Sequence, residues 1–203
     1  MTDSTHYTGL GYDNKFRFIS YWHQISAVLA LRVAPVLEIG IGSGFVSNYL
    51  KGKGIDVVTV DIDRHLEPDV CGSVMCLPFK NEAFKLVICY EVLEHLPYNE
   101  FPKSLAEIHR VTNSYVVLSM PDATQAYRFE FWVPGIGVLR GLLKLPWVHP
   151  RHTVDPDHHW EIGLPGYKAK KILTDIKKVG FELLRTYRPF EHPGHRFIVL
   201  KKG

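Results

Sequence analysis

The segment Asp155-Pro156-Asp157-His158-His159-Trp160-Glu161 sets two imidazoles among three carboxylates. A neighbouring carboxylate orients an imidazole and holds its proton-accepting nitrogen towards a partner. His158 and His159 are therefore candidate general bases for an acceptor that must lose a proton. His149 and His152 lie close by in sequence and raise the question of a metal. No pair among the four has the helical zinc spacing within a recognised motif, and no metal is expected.

A second chemistry-bearing stretch is Val36-Leu37-Glu38-Ile39-Gly40-Ile41-Gly42-Ser43-Gly44. An acid precedes a glycine cluster, and a helix pattern opens directly after it. Glycines let backbone pass under a ligand without a Cβ collision, and open amides at a helix start hold a polar ligand end. A dinucleotide could use such a bend, but its fingerprint needs glycine at the first, third and sixth positions. Counted from Gly40 the sixth position is Phe45, and counted from Gly42 it is Ser47. The nicotinamide pattern is broken.

These residues need elements to hold them. Residues 14–32 place Phe18, Tyr21, Trp22, Ile25, Val28 and Leu29 at helical spacing, with Asn14 as a cap. Val36–Ile39, Ile55–Asp61, Phe84–Tyr90 and Ser114–Met120 read as buried strands, with helices predicted over 45–51 and 102–110. Strand alternating with helix implies parallel strands joined by crossovers. A helix over 167–179 and strands over 181–188 and 196–201 complete the chain. The expected fold is a three-layer α/β/α sandwich of Rossmann-like type, with a mostly parallel sheet and an antiparallel last strand.

The ordered set of motifs resembles the class I S-adenosylmethionine-dependent methyltransferases. Glu38-x-Gly40-x-Gly42-x-Gly44 looks like their motif I. Leu77-Pro78-Phe79 followed by Phe84-Lys85-Leu86-Val87, and Glu91-Val92-Leu93-Glu94-His95-Leu96, are similar to stretches of the small-molecule, "methyltransferase type 11"-like branch. The resemblance implies a seven-stranded sheet, S-adenosylmethionine as cofactor and S-adenosylhomocysteine as product. It implies cofactor contacts from Glu38, Gly40, Gly42, Ser43 and Gly44, from Asp61 on the ribose, and from Tyr90 and Glu91 after the fourth strand. Adenine contacts fall to Ile62, Ser73 and Val74. Ser73 stands where the family usually has Asp, so this chain brings a hydroxyl without charge. Tyr21 is a candidate to face the sulfonium by cation–π attraction. His95 reads as capping or orienting the helix after the fourth strand.

Residues 122–164 break the alternation and are too long for a plain loop, as lids and binding loops are. One domain over 1–203 is expected, with 122–164 as an inserted substrate lid. Within it, 132–148 is apolar with isolated basic residues. A buried lid over a small molecule is the favoured reading, ahead of contact with a membrane surface. Charge is uneven: residues 1–126 hold 10 Lys+Arg and 14 Asp+Glu, and residues 127–203 hold 14 and 7. This basic half is the sole support for an RNA or protein acceptor. The chain lacks the Asn/Asp-Pro-Pro-aromatic segment of amino-directed nucleic-acid enzymes, having Cys89-Tyr90-Glu91-Val92 instead. Methyl transfer to an oxygen or nitrogen of a small molecule is the expected function. A SAM-binding protein without catalysis is the third class. The three cysteines show no disulfide or zinc spacing, and no apolar stretch is long enough for a bilayer, so a cytoplasmic protein is expected.

Overall fold

The computed structural model describes Tyr7, residues 12–143 and residues 155–203. The chain winds as helix α1 (Lys15–Leu31), strand β1 (Val36–Ile39), helix α2 (Phe45–Gly52), and strands β2 (Val57–Asp61), β3 (Val70–Cys71) and β4 (Phe84–Tyr90). Helix α3 (Phe101–Val111), strand β5 (Thr112–Pro121), the pair β6 (Tyr127–Val133) and β7 (Gly137–Leu143), helix α4 (Ala169–Lys178), and strands β8 (Phe181–Tyr187) and β9 (His195–Lys202) follow. Asn14 caps α1, its side chain accepting from the Phe16 and Arg17 amides at 2.9 and 3.1 Å. Pro102 stands in the first turn of α3, where its missing N–H costs nothing.

The main sheet has the order β3-β2-β1-β4-β5-β9-β8. β9 runs antiparallel to both of its neighbours, and the pairs from β3 to β5 are parallel. Each sheet face buries its own core. Leu37, Ile39, Val87, Cys89, Val116 and Leu118 pack with Phe101, Leu105 and Ile108 of α3 and Ile172 and Ile176 of α4. Val36, Val57, Leu86, Ile88 and Val117 pack with Tyr21, Ile25 and Val28 of α1 and Val46 and Leu50 of α2. The three-layer, mostly parallel sandwich expected from the alternation is the observed fold. In such sheets ligands bind beyond the carboxyl ends of the strands where the winding direction reverses. That point lies between β1 and β4, beside Gly40 and Glu91.

The apolar part of 122–164 departs from expectation. Residues 127–143 form a separate antiparallel hairpin, paired from Tyr127↔Leu143 to Val133↔Gly137. Trp132 is 70% exposed, and Phe131, Ile136, Val138 and Leu143 are exposed with it. The burial expected of 132–148 is therefore not met over 132–143. Alternation of Tyr127, Phe129, Phe131 and Val133 favours a strand, and Gly135 and Gly137 at φ +80° and +96° close the turn. Residues 144–148 lie outside the described residues. Among the described residues, no helix is long and apolar enough to cross a membrane.

Candidate functional site

The bend after β1 is built from left-handed backbone. Gly40, Gly42 and Gly44 have φ of +81°, +52° and +71°, a region that costs an L side chain about 1–2 kcal/mol. A Cβ on Gly40 would meet Val92 Cγ2 at 2.3 Å, so the turn after β4 lies directly against the bend. Asp61, at the carboxyl end of β2, turns towards it. One carboxylate oxygen accepts the Ile41 amide proton at 2.9 Å, and the other accepts from the Asp63 amide at 2.9 Å. Glu38 shares the sheet face of Val36 and points into the α1–α2 layer. It is buried, and its Oε2 has no hydrogen-bond partner. Burial pushes its carboxyl up to about 8 against the opposing pull of Ser47 and Lys51.

The amino-terminal helix closes one side. The Tyr21 hydroxyl donates to Asp13 Oδ1 and shares a hydrogen bond with Ser43 Oγ, each at 2.9 Å. Its ring stacks on Phe45 at 4.5 Å between centroids. Tyr21 thus fastens α1 to the glycine bend. The Tyr7 ring and the Tyr12 hydroxyl lie 3.6 and 3.8 Å from a Cβ built on Gly42. The Arg17 guanidinium sits 4.4 Å over the Tyr12 ring.

Beyond β4 lies a polar cluster. Glu91 adopts φ +53°, an uncommon conformation for a side-chain-bearing residue and frequent at functional sites. Its Oε1 accepts from Ser119 Oγ at 2.7 Å, and its Oε2 lies 3.4 Å from His195 Nε2. His192 packs on His195 at 4.4 Å. Burial, then neighbouring cations, pushes His195 down to about 3. Burial and His195 push His192 down to about 4. Both imidazoles are thus neutral. His158 Nδ1 lies 2.8 Å from Glu161 Oε1. Burial opposes its protonation, but Glu161 outweighs that and raises it. The His95 ring lies 4.8 Å from that of His158, and its Nδ1 lies 3.1 Å from the Asp157 carbonyl oxygen. Glu94 beside them is fully buried, and burial raises its carboxyl well above the ordinary range.

Residues 155–162 are clamped over this turn. The His159 amide donates to the Glu94 carbonyl, the Trp160 indole to the Leu96 carbonyl, and the Ile162 amide to the Pro121 carbonyl, at 2.9, 3.1 and 3.1 Å. Trp160 is fully buried against Phe101, a burial contributing about 3 kcal/mol.

The two expected bases part company here. His158 faces the cluster, whereas His159 is exposed. Glu38, Gly40, Gly42, Ser43, Gly44, Asp61 and Glu91 converge around the bend. Ile62 stands 59% exposed beside Asp61. Val74 is buried, and the Ser73 hydroxyl accepts from the Met75 amide at 3.3 Å. The Tyr90 ring lies in the core under α1, its hydroxyl donating to the Gln24 carbonyl. His149 and His152 lie outside the described residues. Sequence reasoning passed over Arg17, Glu94, His192 and His195 as site residues. His192-Pro193-Gly194-His195, two histidines around a turn pair, was the available signal.

A family model described as "Methyltransferase domain" matches residues 37–118. Over residues 37–118 the chain is thus similar to a methyltransferase domain. The match spans β1 to β5 and so contains the bend, Asp61 and the Glu91–His95 turn. An uncharacterized protein of Methanocaldococcus jannaschii is 35% identical over 82 residues, 37% of this chain and 35% of that protein. The ribosomal RNA small subunit methyltransferase A of Thermosynechococcus vestitus is 32% identical over 103 residues, 41% of this chain and 37% of that one. The chain spans little more than a third of the length of these curated relatives. In fold the chain has neighbours along almost its whole length. One is the Synechocystis magnesium protoporphyrin IX methyltransferase with bound S-adenosylhomocysteine, at TM-score 0.63 and 17% identity, covering 98% of this chain and 92% of that one.

Proposed function

We propose that this protein is a methyltransferase that moves a methyl group from S-adenosylmethionine to an oxygen or nitrogen of a small-molecule acceptor. One observation carries the reading: a buried carboxylate oxygen of Glu38 without a partner, beneath a bend whose three glycines all hold positive φ. That set fits the amino-acid end of the cofactor, whose ammonium would meet Glu38. Asp61 would hold the ribose hydroxyls, since a carboxylate accepts from two donors at once. Exposed Ile62 and buried Val74 supply an apolar bed for the adenine, and Ser73 a hydroxyl. The Tyr21 hydroxyl keeps Ser43 and the bend in place.

When bound, the cofactor supplies an activated methyl: the acceptor's lone pair bonds to the methyl carbon, the carbon–sulfur bond breaks, and its electron pair stays on sulfur. The protein then has mainly to align the acceptor and exclude water. Residues 155–162 suit the lid role because they close over the turn after β4. The fold neighbour that acts on magnesium protoporphyrin IX supports a small-molecule acceptor. The basic half over 127–203 and the ribosomal RNA relative favour RNA as the second reading. Free Cys71, Cys76 and Cys89 accord with a cytoplasmic location.

Titration calorimetry tests the proposal. S-adenosylmethionine and S-adenosylhomocysteine are expected to bind one per chain, and a nicotinamide dinucleotide to give no heat. Binding of the dinucleotide alone would overturn it. Tight binding of RNA oligonucleotides, weakening steeply with salt, would select the second reading.

A further inference from the structure

We propose that Glu94, His95 and His158 form a binding site for a divalent transition-metal ion beside the cofactor bend. Ligand atoms of these three residues lie within 4.8 Å of one another. Glu94 is fully buried, and neither of its carboxylate oxygens has a hydrogen-bond partner. A buried carboxylate left this way is costly unless a cation compensates it.

The imidazoles give a second, independent indication. A carbonyl oxygen can only accept, so the 3.1 Å contact to Asp157 puts the proton of His95 on Nδ1. The Glu161 carboxylate does the same for His158 at 2.8 Å. Each ring is thereby oriented so that, when neutral, its lone pair is on Nε2. Metal-bound histidines usually have this arrangement, the remote N–H held by a carbonyl or carboxylate. The Glu91 carboxylate adjoins the cluster but is engaged by Ser119 and His195, so three protein ligands remain.

Two imidazoles with one carboxylate suit manganese, iron, cobalt or zinc better than magnesium or calcium. Three ligands leave positions open for another oxygen. Val92, between Glu91 and Leu93, abuts Gly40, so the ion would stand beside the bend. This use rests on the methyltransferase reading: the ion would hold the acceptor by an oxygen and so favour hydroxyl acceptors. His158 would then serve as a ligand and not as a base.

The test uses the whole chain, stripped with chelator and titrated with cobalt(II) chloride or manganese(II) chloride alone. One equivalent is expected to bind, with visible cobalt bands of nitrogen–oxygen ligation and a rise in the thermal midpoint. Glu94→Gln, a neutral isostere, and His158→Ala, on the covering segment, should each weaken binding at least tenfold. S-adenosylmethionine affinity should stay within about threefold and far-ultraviolet circular dichroism should be unchanged. Absence of saturable binding, or wild-type affinity in either variant, would overturn the site. The methyltransferase reading is scored separately: a wild-type chain that binds metal but no S-adenosylmethionine keeps the ion site and loses that reading.

Discussion

The Asp61 carboxylate accepts the Ile41 amide proton at 2.9 Å, tying the end of β2 to the glycine bend after β1. One side chain therefore shapes the bend, and under the proposed function it would also offer lone pairs to a ribose. Asp61→Ala should weaken S-adenosylmethionine by about 1.5–3 kcal/mol, the range for a hydrogen bond to a charged group. Asp61→Asn keeps an acceptor for Ile41 and should lose less. Calorimetry on both variants checks this, and equal affinity of Asp61→Ala and wild type would put the ribose elsewhere.

Gly40 and Gly42 should respond differently to alanine. At Gly42 the added Cβ finds ordinary contacts at 3.6 Å or more, so only backbone strain of about 1 kcal/mol is expected. At Gly40 the same strain adds to a 2.3 Å collision with Val92. Overpacking of this kind costs about 1–3 kcal/mol further. Urea unfolding midpoints should rank wild type, Gly42→Ala, Gly40→Ala, and the Gly40 variant should also disturb the Glu91–His95 turn.

The parts of this molecule that repeat a period are readable in its sequence. β1, β2, β4 and β5 are apolar runs, and Glu38, the glycines and Asp61 fall at their ends, so the succession of strands and the glycine bend were legible together. The Glu91–His95 turn was legible as a motif, but its use was not. Glu94 differs from a surface acid only through burial, and that depends on Trp160 and His159 arriving from far along the chain. The hairpin was missed for another reason. Tyr127, Phe129, Phe131 and Val133 alternate as a strand does, yet aromatic residues in a long insertion invite a pocket-lining interpretation. His192 and His195 sat in a link between strands, where spacing carries no information on what faces them.

Glu38 should make stability fall as pH rises. Its native carboxyl titrates at about 8 against 4.5 for the ordinary group. Between these values the folded chain keeps a proton that the unfolded chain has released. Unfolding therefore becomes easier as pH climbs through that window. Glu38→Gln is neutral throughout and removes this contribution. Its stability relative to wild type should increase from pH 5 to pH 8, measured by urea unfolding without cofactor. A constant difference would mean that Glu38 ionises freely in the native state.

Asp122 at the end of β5 is the anchor for two arginines. Its Oδ2 accepts from Arg196 Nε at 2.7 Å, and Arg188 Nη1 lies 3.7 Å from Oδ1. The Asp122 side chain is wholly buried, and those of Arg196 and Arg188 are 11% and 5% exposed. Removing one partner from a buried pair costs about 3–5 kcal/mol, because the remaining charge is stranded. The two sides are not equivalent. Arg196→Met leaves Asp122 with Arg188 as counter-charge, whereas Asp122→Ala strands both guanidinium groups. Asp122→Ala should thus be the more destabilising in urea. It should also loosen the covering segment, since the Ala123 amide donates to the Ile162 carbonyl at 2.8 Å. Amide exchange at Trp160 and Ile162 should rise in Asp122→Ala more than in Arg196→Met. The reverse order would place the stabilising role in Arg196 alone.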